Sequence, residues 1–328
     1  MATRVTVNAL QSLPTTPSGS SASFTQKLIE FDISLGPNPT TNQPSKFDNG
    51  SNMVTLSGFR ASVRIQNSGQ PSGSTAQVDI FGLGPSLMNQ LSTLGMVFQL
   101  IPQNAMTIRV GDESKGLATV FVGTIMSATG KYNEAPNVPM HFECISGLIN
   151  AAIPVKASSF PSPTDVGTIM SGIAKTMGYG FENNGVNITL PPSYFPGAAQ
   201  DQWRKVAQDA GIRAELVPGS ADSPGNLILA IWPKGGSRGG AAPLVSPTTG
   251  MIGYPEYTQQ GISVKTIYNP QIAFGGKINV QSSLFRATGT WVILRLDHAL
   301  DTLVKDGQWE SSMWCFNPAY PLPNAPAA

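Results

Sequence analysis

Between Thr75 and Phe81 the apolar side chains of Ala76, Val78 and Ile80 alternate with Thr75, Gln77 and Asp79. A period of two puts one set inward and the other toward solvent or a partner, the pattern of a half-buried strand. Runs of strand-forming residues recur at 28–35, 54–66, 106–110, 117–129 and 138–145, each cut off by a turn cluster. With 34 Gly and 27 Pro among 328 residues, the interruptions come too often for helices to dominate. Residues 24–150 therefore read as a first barrel-like β domain. One short helix interrupts it: Pro85 suits a first helical turn, Leu87, Met88, Leu91 and Leu94 share a stripe, and Gly95 ends it.

From 151 to 240 the period lengthens. Val166, Ile169, Met170, Ile173 and Met177 recur at helical spacing, with Ser162 or Thr164 as a cap and Gly178 as the stop. A second helix is expected over 199–210, burying Trp203, Val206, Ala207 and Ala210 before Gly211. Strands are expected at 186–190, 213–217 and 227–232, which makes this a small mixed α/β domain. A Gly/Pro-rich connection at 235–253 leads to strands at 261–268, 276–282, 290–298 and 308–316, a second barrel-like domain over 241–316. Its last hairpin, from Gly289, Thr290, Trp291 and Val292 to Met313 and Cys315, echoes the first domain's passage from Gly123 and Thr124 to Met140 and Cys144. Such an echo is what an internal duplication leaves. Residues 1–23, with the run Pro14, Thr15, Thr16, Pro17, Ser18, are too polar to order alone and read as a flexible arm that orders against a partner. Residues 317–328, with Pro318, Pro321, Pro323 and Pro326, read as an extended tail.

Charge excludes several functions. Only 12% of the residues are charged, against about 25% in an ordinary soluble protein. The 20 Lys and Arg balance 19 Asp and Glu, so no basic surface exists to track nucleic acid or an anionic bilayer. A surface so sparsely charged is expected to be covered by neighbouring subunits. Cys144 and Cys315 lie in apolar runs and read as buried thiols in a reducing compartment. No basic segment with a following apolar run opens the chain, and its longest apolar stretch, near 227–232, is too short to span a bilayer; neither a signal peptide nor a membrane anchor is expected. The acceptor-like triplets at Asn49 and Asn187 read as chance matches in turn-rich sequence.

The sharpest catalytic candidate is Ser237 in Gly235-Gly236-Ser237-Arg238-Gly239, a G-x-S-x-G pattern after an apolar strand. That motif needs a helix next, and Pro243 and Pro247 forbid one, so an interdomain hinge is the simpler reading. The same glycines lack the Lys and Ser/Thr that would make a phosphate loop. His141 and His298 are the only histidines, without Cys or carboxylates at metal-ligand spacing, so no metal and no cofactor are expected. Asp297 and His298 are neighbours on a strand and point to opposite faces, so they cannot form a catalytic pair. The acidic residues are scattered through turns, with no carboxylate pair on one strand face for glycoside chemistry. Trp291, Trp309 and Trp314 are candidate core or interface aromatics, with a sugar-stacking platform as the alternative.

Beyond these local readings lies a longer pattern. It runs from Tyr194, Phe195, Pro196 and Gly197 into Asp201, Gln202 and the helix to Gly211, then through Ala230, Ile231, Trp232, Pro233, Lys234, Gly235 and Gly236. It continues through 247–254, 261–270, 275–283 and 289–298 to Gln308 and Trp309. In this the chain resembles the baseplate hub proteins of contractile-tailed bacteriophages over residues 24–317, and type VI secretion spike cores in plan. The resemblance implies a non-catalytic homotrimer whose two related barrels per subunit make a pseudo-sixfold ring around a channel. It implies a place in the virion tail baseplate, assembled in the host cytoplasm. The partners implied are the tail tube protein above, the spike protein below, baseplate wedge proteins and the tape measure protein. It assigns no catalytic, cofactor or interface residue, and no fused lysozyme-like segment is detected. A carbohydrate-binding adhesin using the tryptophans and a hydrolase built on Ser237 are the competing classes.

Overall fold

The computed structural model describes residues 5–8, 25–37, 43, 45–69, 73–93, 103–113, 116–148, 154–219 and 227–318. The polar run at 14–18, Leu94, Gly95 and all but the first two residues of the Pro-rich tail lie outside them.

The first half contains β1 (Val5–Asn8), β2 (Lys27–Ser34), β3 (Met53–Ser57), β4 (Arg60–Asn67), β5 (Thr75–Phe81), α1 (Pro85–Leu91), β6 (Ala105–Asp112), β7 (Gly116–Gly130) and β8 (Pro139–Ile145). The expected run 54–66 is two strands, because Gly58 turns the chain at φ +72°. Helix α1 stops at Leu91, where the Ser92 hydroxyl and N–H both donate to the Met88 carbonyl. Within the segment expected to be an arm, β1 runs parallel to β3, Val5 opposite Val54.

The mixed unit contains α2 (Val166–Met177), β11 (Gly180–Asn183), α3 (Ala199–Asp209), β14 (Ile212–Pro218) and β15 (Leu227–Pro233), with short pairs β9 (Ser158–Phe160) with β13 (Ser193–Phe195) and β10 (Thr164–Asp165) with β12 (Thr189–Leu190). The cap of α2 is neither Ser162 nor Thr164. Asp165 fills it, accepting the Thr168 N–H at 2.9 Å, while Thr164 is held in the β10 pair. Gly178 ends the helix at φ +74°, as expected. The sheet β11-β15-β14 buries both faces. Leu216, Leu229 and Ile231 pack with Ile169, Met170, Trp203 and Val206 of the helices. Val217, Ala230 and Trp232 pack with Ile262, Met313 and Cys315 of the second β half. Double burial explains why residues 227–232 are apolar without alternation.

The second half contains β16 (Leu244–Val245), β17 (Met251–Thr258), β18 (Gly261–Ile267), β19 (Lys277–Val280), β20 (Gly289–Thr302) and β21 (Trp309–Phe316). Strand β17 begins inside the segment expected to be a connection.

Among the described residues the protein is thus mainly β with three α-helices, but neither half is a closed barrel. One fourteen-stranded sheet runs β1-β3-β2-β6-β7-β8-β5-β4-β20-β21-β18-β17, with β19 on β20 and β16 on β19. Closing the first half would need β4 to pair back across it, and the outer edge of β4 is taken by β20 instead. The Thr302 hydroxyl, donating to the Lys27 carbonyl at 2.9 Å, reaches from β20 toward β2.

Candidate assembly surface

The echo of two hairpins extends to five strands. In the first half β6-β7-β8-β5-β4 are neighbours; in the second, β19-β20-β21-β18-β17, all antiparallel and in the same chain order. Even the irregularities coincide. Ile125 lies opposite Cys144 and the register slips before Ser127 meets Glu143; Ile293 lies opposite Cys315 and slips before Arg295 meets Trp314. An extra residue at the same place in both copies marks one ancestral hairpin, since bulges persist within families.

The two copies are joined by a seam. Strand β20 pairs with β4 from Leu296 opposite Asn67 to Thr302 opposite Ala61. Leu300 crosses into the first half's core, fully buried with Val63 and Ile65. The Arg64 guanidinium donates to both carboxylate oxygens of Asp301 at 2.8 and 3.2 Å. Burial pulls the Asp301 carboxyl upward, but Arg64 and the Gln308 N–H outweigh it and hold it below the usual range.

In the second copy the strand equivalent to β4 is β17, and its outer edge has no strand partner among the described residues. This edge carries Tyr254 (69% exposed), Tyr257 (57%) and Ile252 (39%), and Ile267 of β18 is exposed nearby at 51%. Apolar groups concentrated on an open strand are the mark of a contact surface. Sequence reading missed β17 because Gly253, Pro255 and a two-residue slip between Ile252 and Glu256 break its alternation. The visible signal was three large apolar residues, Ile252, Tyr254 and Tyr257, at and just beyond the end of the segment read as a connection over 235–253.

Ser237 has no nucleophile elbow around it: no helix follows β15. Nor is its loop a hinge. Arg238 donates to Glu182 at 2.7 and 3.1 Å and to the Phe274 carbonyl at 3.4 Å. Its N–H reaches the Gly275 carbonyl at 2.7 Å, and the Gly239 N–H reaches Asn184 Oδ1 at 2.7 Å. The loop therefore clamps the mixed unit to the second β half. Burial alone would raise Glu182, and the bonds from Arg238 and Asn184 reverse that.

The histidines are both committed to structure. His141 Nδ1 lies 2.7 Å from Asp79 Oδ1. His298 Nδ1 lies 2.8 Å from Ser311 Oγ, and burial pushes its pKa down to about 4. Asp297 turns the other way, to Arg295. Among the described residues no three His, Cys, Asp or Glu are grouped to hold a metal ion, and no helix is long and apolar enough to cross a membrane. Both cysteines are free and buried.

The tryptophans are not brought together. Trp291 is core, its indole N–H on the Ala287 carbonyl at 2.9 Å. Trp309 stands edge-on to Tyr268 at 5.9 Å, beside the first core. Trp314, five residues along the same strand and so on its other face, lies under Arg295 at 4.7 Å.

Two five-stranded repeats within one sheet, joined at a seam and braced by a mixed unit, make a fold shared with solved tail proteins. It is similar to the tail protein from Neisseria meningitidis MC58 at 8% identity, with a TM-score of 0.55 over 87% of this chain and 96% of that one. It is similar to the 43 kDa tail protein of prophage MuSo2 from Shewanella oneidensis at 10% identity, TM-score 0.54, over 88% and 97%. It is also similar to the E. coli c3393 protein, a component of the type VI secretion system, at 10% identity, TM-score 0.51, over 81% and 74%. No curated protein sequence matches the chain. The profile of the family described as baseplate hub gp41 matches residues 44–306, and the chain belongs to that family.

Proposed function

We propose that the chain is the structural, non-catalytic hub subunit of a contractile-tail baseplate, acting as a homotrimer. Three copies supply six β repeats to a ring whose upper face receives hexameric rings of tail tube protein and whose lower face receives a trimeric spike. Wedge proteins meet its periphery, and the tape measure protein is a further partner during assembly in the host cytoplasm.

The observation that carries this reading is the duplication with one satisfied seam. Strand β4 has its neighbour in β20, while the equivalent edge at β17 is open and bears Tyr254 and Tyr257. A contact that repeats head to tail closes into a ring when the rotation allows. Pro255 and the slipped register limit any backbone ladder at β17, so its side chains are expected to supply most of the contact.

Sedimentation of the purified chain and electron microscopy of intact tails test the proposal. A trimer, reduced to folded monomers by Tyr254→Arg with Tyr257→Asp, supports it. A wild-type monomer that is absent from the tail tip refutes it.

A further inference from the structure

A cavity of about 280 Å³ lies where α3 and β14 meet Trp232, Phe274 and the turn at Gly69. Its walls are of two kinds. Ala207, Ile212 and Ala214 line it with Trp232 and Phe274 on the apolar side, and Trp203, Arg204, Arg213 and Glu215 supply the polar groups. Trp203 is 5% exposed and Glu215 4%.

Three donors on these residues have buried hydrogens without an acceptor among the described residues: the Trp203 indole N–H, Arg204 Nε–H and Arg213 Nε–H. Leaving a buried donor without an acceptor is costly, and three on residues lining one cavity is a concentration that needs an explanation. Glu215 does not relieve them. Its own neighbours are the Leu216 N–H and, at longer range, the two guanidiniums. Burial drives its pKa up to about 8, so at neutral pH it is mostly a neutral acid and leaves Arg213 without a full counter-charge, while Arg204 has that of Asp201.

We propose that this cavity binds a carboxylate carried on a short aliphatic stem. The indole and guanidinium hydrogens would receive the carboxylate oxygens, and the apolar walls would receive the stem. A planar two-oxygen anion suits guanidinium geometry. The carboxylate can come from a free small dicarboxylate or from a glutamate side chain of a partner polypeptide, and one experiment separates the two.

The five tryptophans give five indole N–H resonances in the full-length protein, and Trp203→Phe identifies the one that reports on the cavity. Glutarate and the capped peptide Ac-Ala-Glu-Ala-NH2 are titrated separately. Saturable movement of the Trp203 resonance is expected. Affinity should fall about tenfold or more in Arg213→Gln and in Arg204→Gln, with the resonances of Trp291, Trp309 and Trp314, which lie outside the cavity, in place as the check on folding. Arg295→Gln, which lines no part of the cavity, should bind as the wild type does. Tighter binding of the peptide names a partner chain as the source, and tighter binding of glutarate names a free metabolite-like acid. The charged groups facing the site are Asp201 and Arg204 from α3 and Arg213 and Glu215 from β14; Trp232, Phe274 and Gly69 bring none. Binding should therefore weaken as pH rises through 8, where Glu215 ionises and repels the ligand. The proposal is overturned if neither probe moves the resonance, if sulfate at equal ionic strength moves it as far, or if both arginine variants bind normally.

Discussion

Replacing Leu300 with Ala tests whether the two β copies are one folding unit. Leu300 belongs to β20 of the second copy, yet it is fully buried in the core of the first. Its side chain has no path to solvent, so truncation removes transfer energy and leaves a cavity that flanking strands cannot close. Buried Leu→Ala changes cost about 3 kcal/mol within a wide range. Unfolding entropy near 2.1 cal/mol/K per residue, taken over 328 residues, makes that a drop of roughly 4 °C in Tm. Calorimetry measures the drop, and hydrogen exchange locates it. If the seam couples the copies, protection falls together in peptides covering β4 and β20, and also in β5, which pairs with β4. A Tm change under about 1 °C, or loss of protection confined to β20, would show that the halves fold independently and that the seam is a passive contact.

Three further outcomes follow from burial and backbone geometry. Because burial pushes His298 down to about 4, the unfolded chain takes up the proton first; stability is full above pH 6.5 and declines as pH falls toward 4. The decline is roughly 3 kcal/mol at most, and urea midpoints across this range should flatten in His298→Gln; an unchanged slope would refute the assignment. Burial raises the thiols of Cys144 and Cys315 well above the ordinary range, so iodoacetamide should modify neither in the native protein and both after unfolding, and mass spectrometry of a native adduct would contradict this. Gly261 sits at φ +155° with a would-be Cβ running into the Cys315 carbonyl, so Gly261→Ala should destabilise by more than about 2 kcal/mol. Gly172, exposed in α2 with open space around it, should gain about 0.5–1 kcal/mol from the same change; denaturation curves with like signs for the two would defeat the argument.

What the sequence disclosed, and what it withheld, divides by the range of the interaction. Strands such as β5 and helices such as α2 were legible because each is held by a local pattern facing a single core. Strand β11 was missed since its four residues, beginning at Gly180 and ending at Asn183, gain strand geometry only from parallel pairing with β15. Asp165 was passed over as a cap in favour of nearby hydroxyls, although a carboxylate bonds the same N–H. Two barrel-like domains were expected, and the sheet running through both was not, because nothing near β4 announces a partner more than two hundred residues away. The cavity polar groups were readable in principle. Arg213 and Glu215, two apart on a strand, share a face with Val217, the face turned toward the second β half, and two charges on one strand face were the signal to read.

The open edge and the seam differ in chemistry in a way that fits their different partners. Strand β4 alternates strictly, Ala61, Val63, Ile65 and Asn67 inward, and is paired along its length on both sides; its partner is tethered in the same chain and cannot be mistaken. Strand β17 faces whatever the solution brings. A flat unpaired strand there would template indiscriminate addition. Pro255 removes one donor, Gly253 at φ +69° turns the backbone, and the slipped register twists the edge away from ideal pairing. What remains for recognition is the shape of two tyrosines and an isoleucine, which only a complementary surface can cover. If β17 is the assembly edge proposed above, divergence of the two copies has acted on the outer strand, where loss of backbone complementarity would protect the free subunit and exposed aromatic surface would retain affinity for the neighbouring copy.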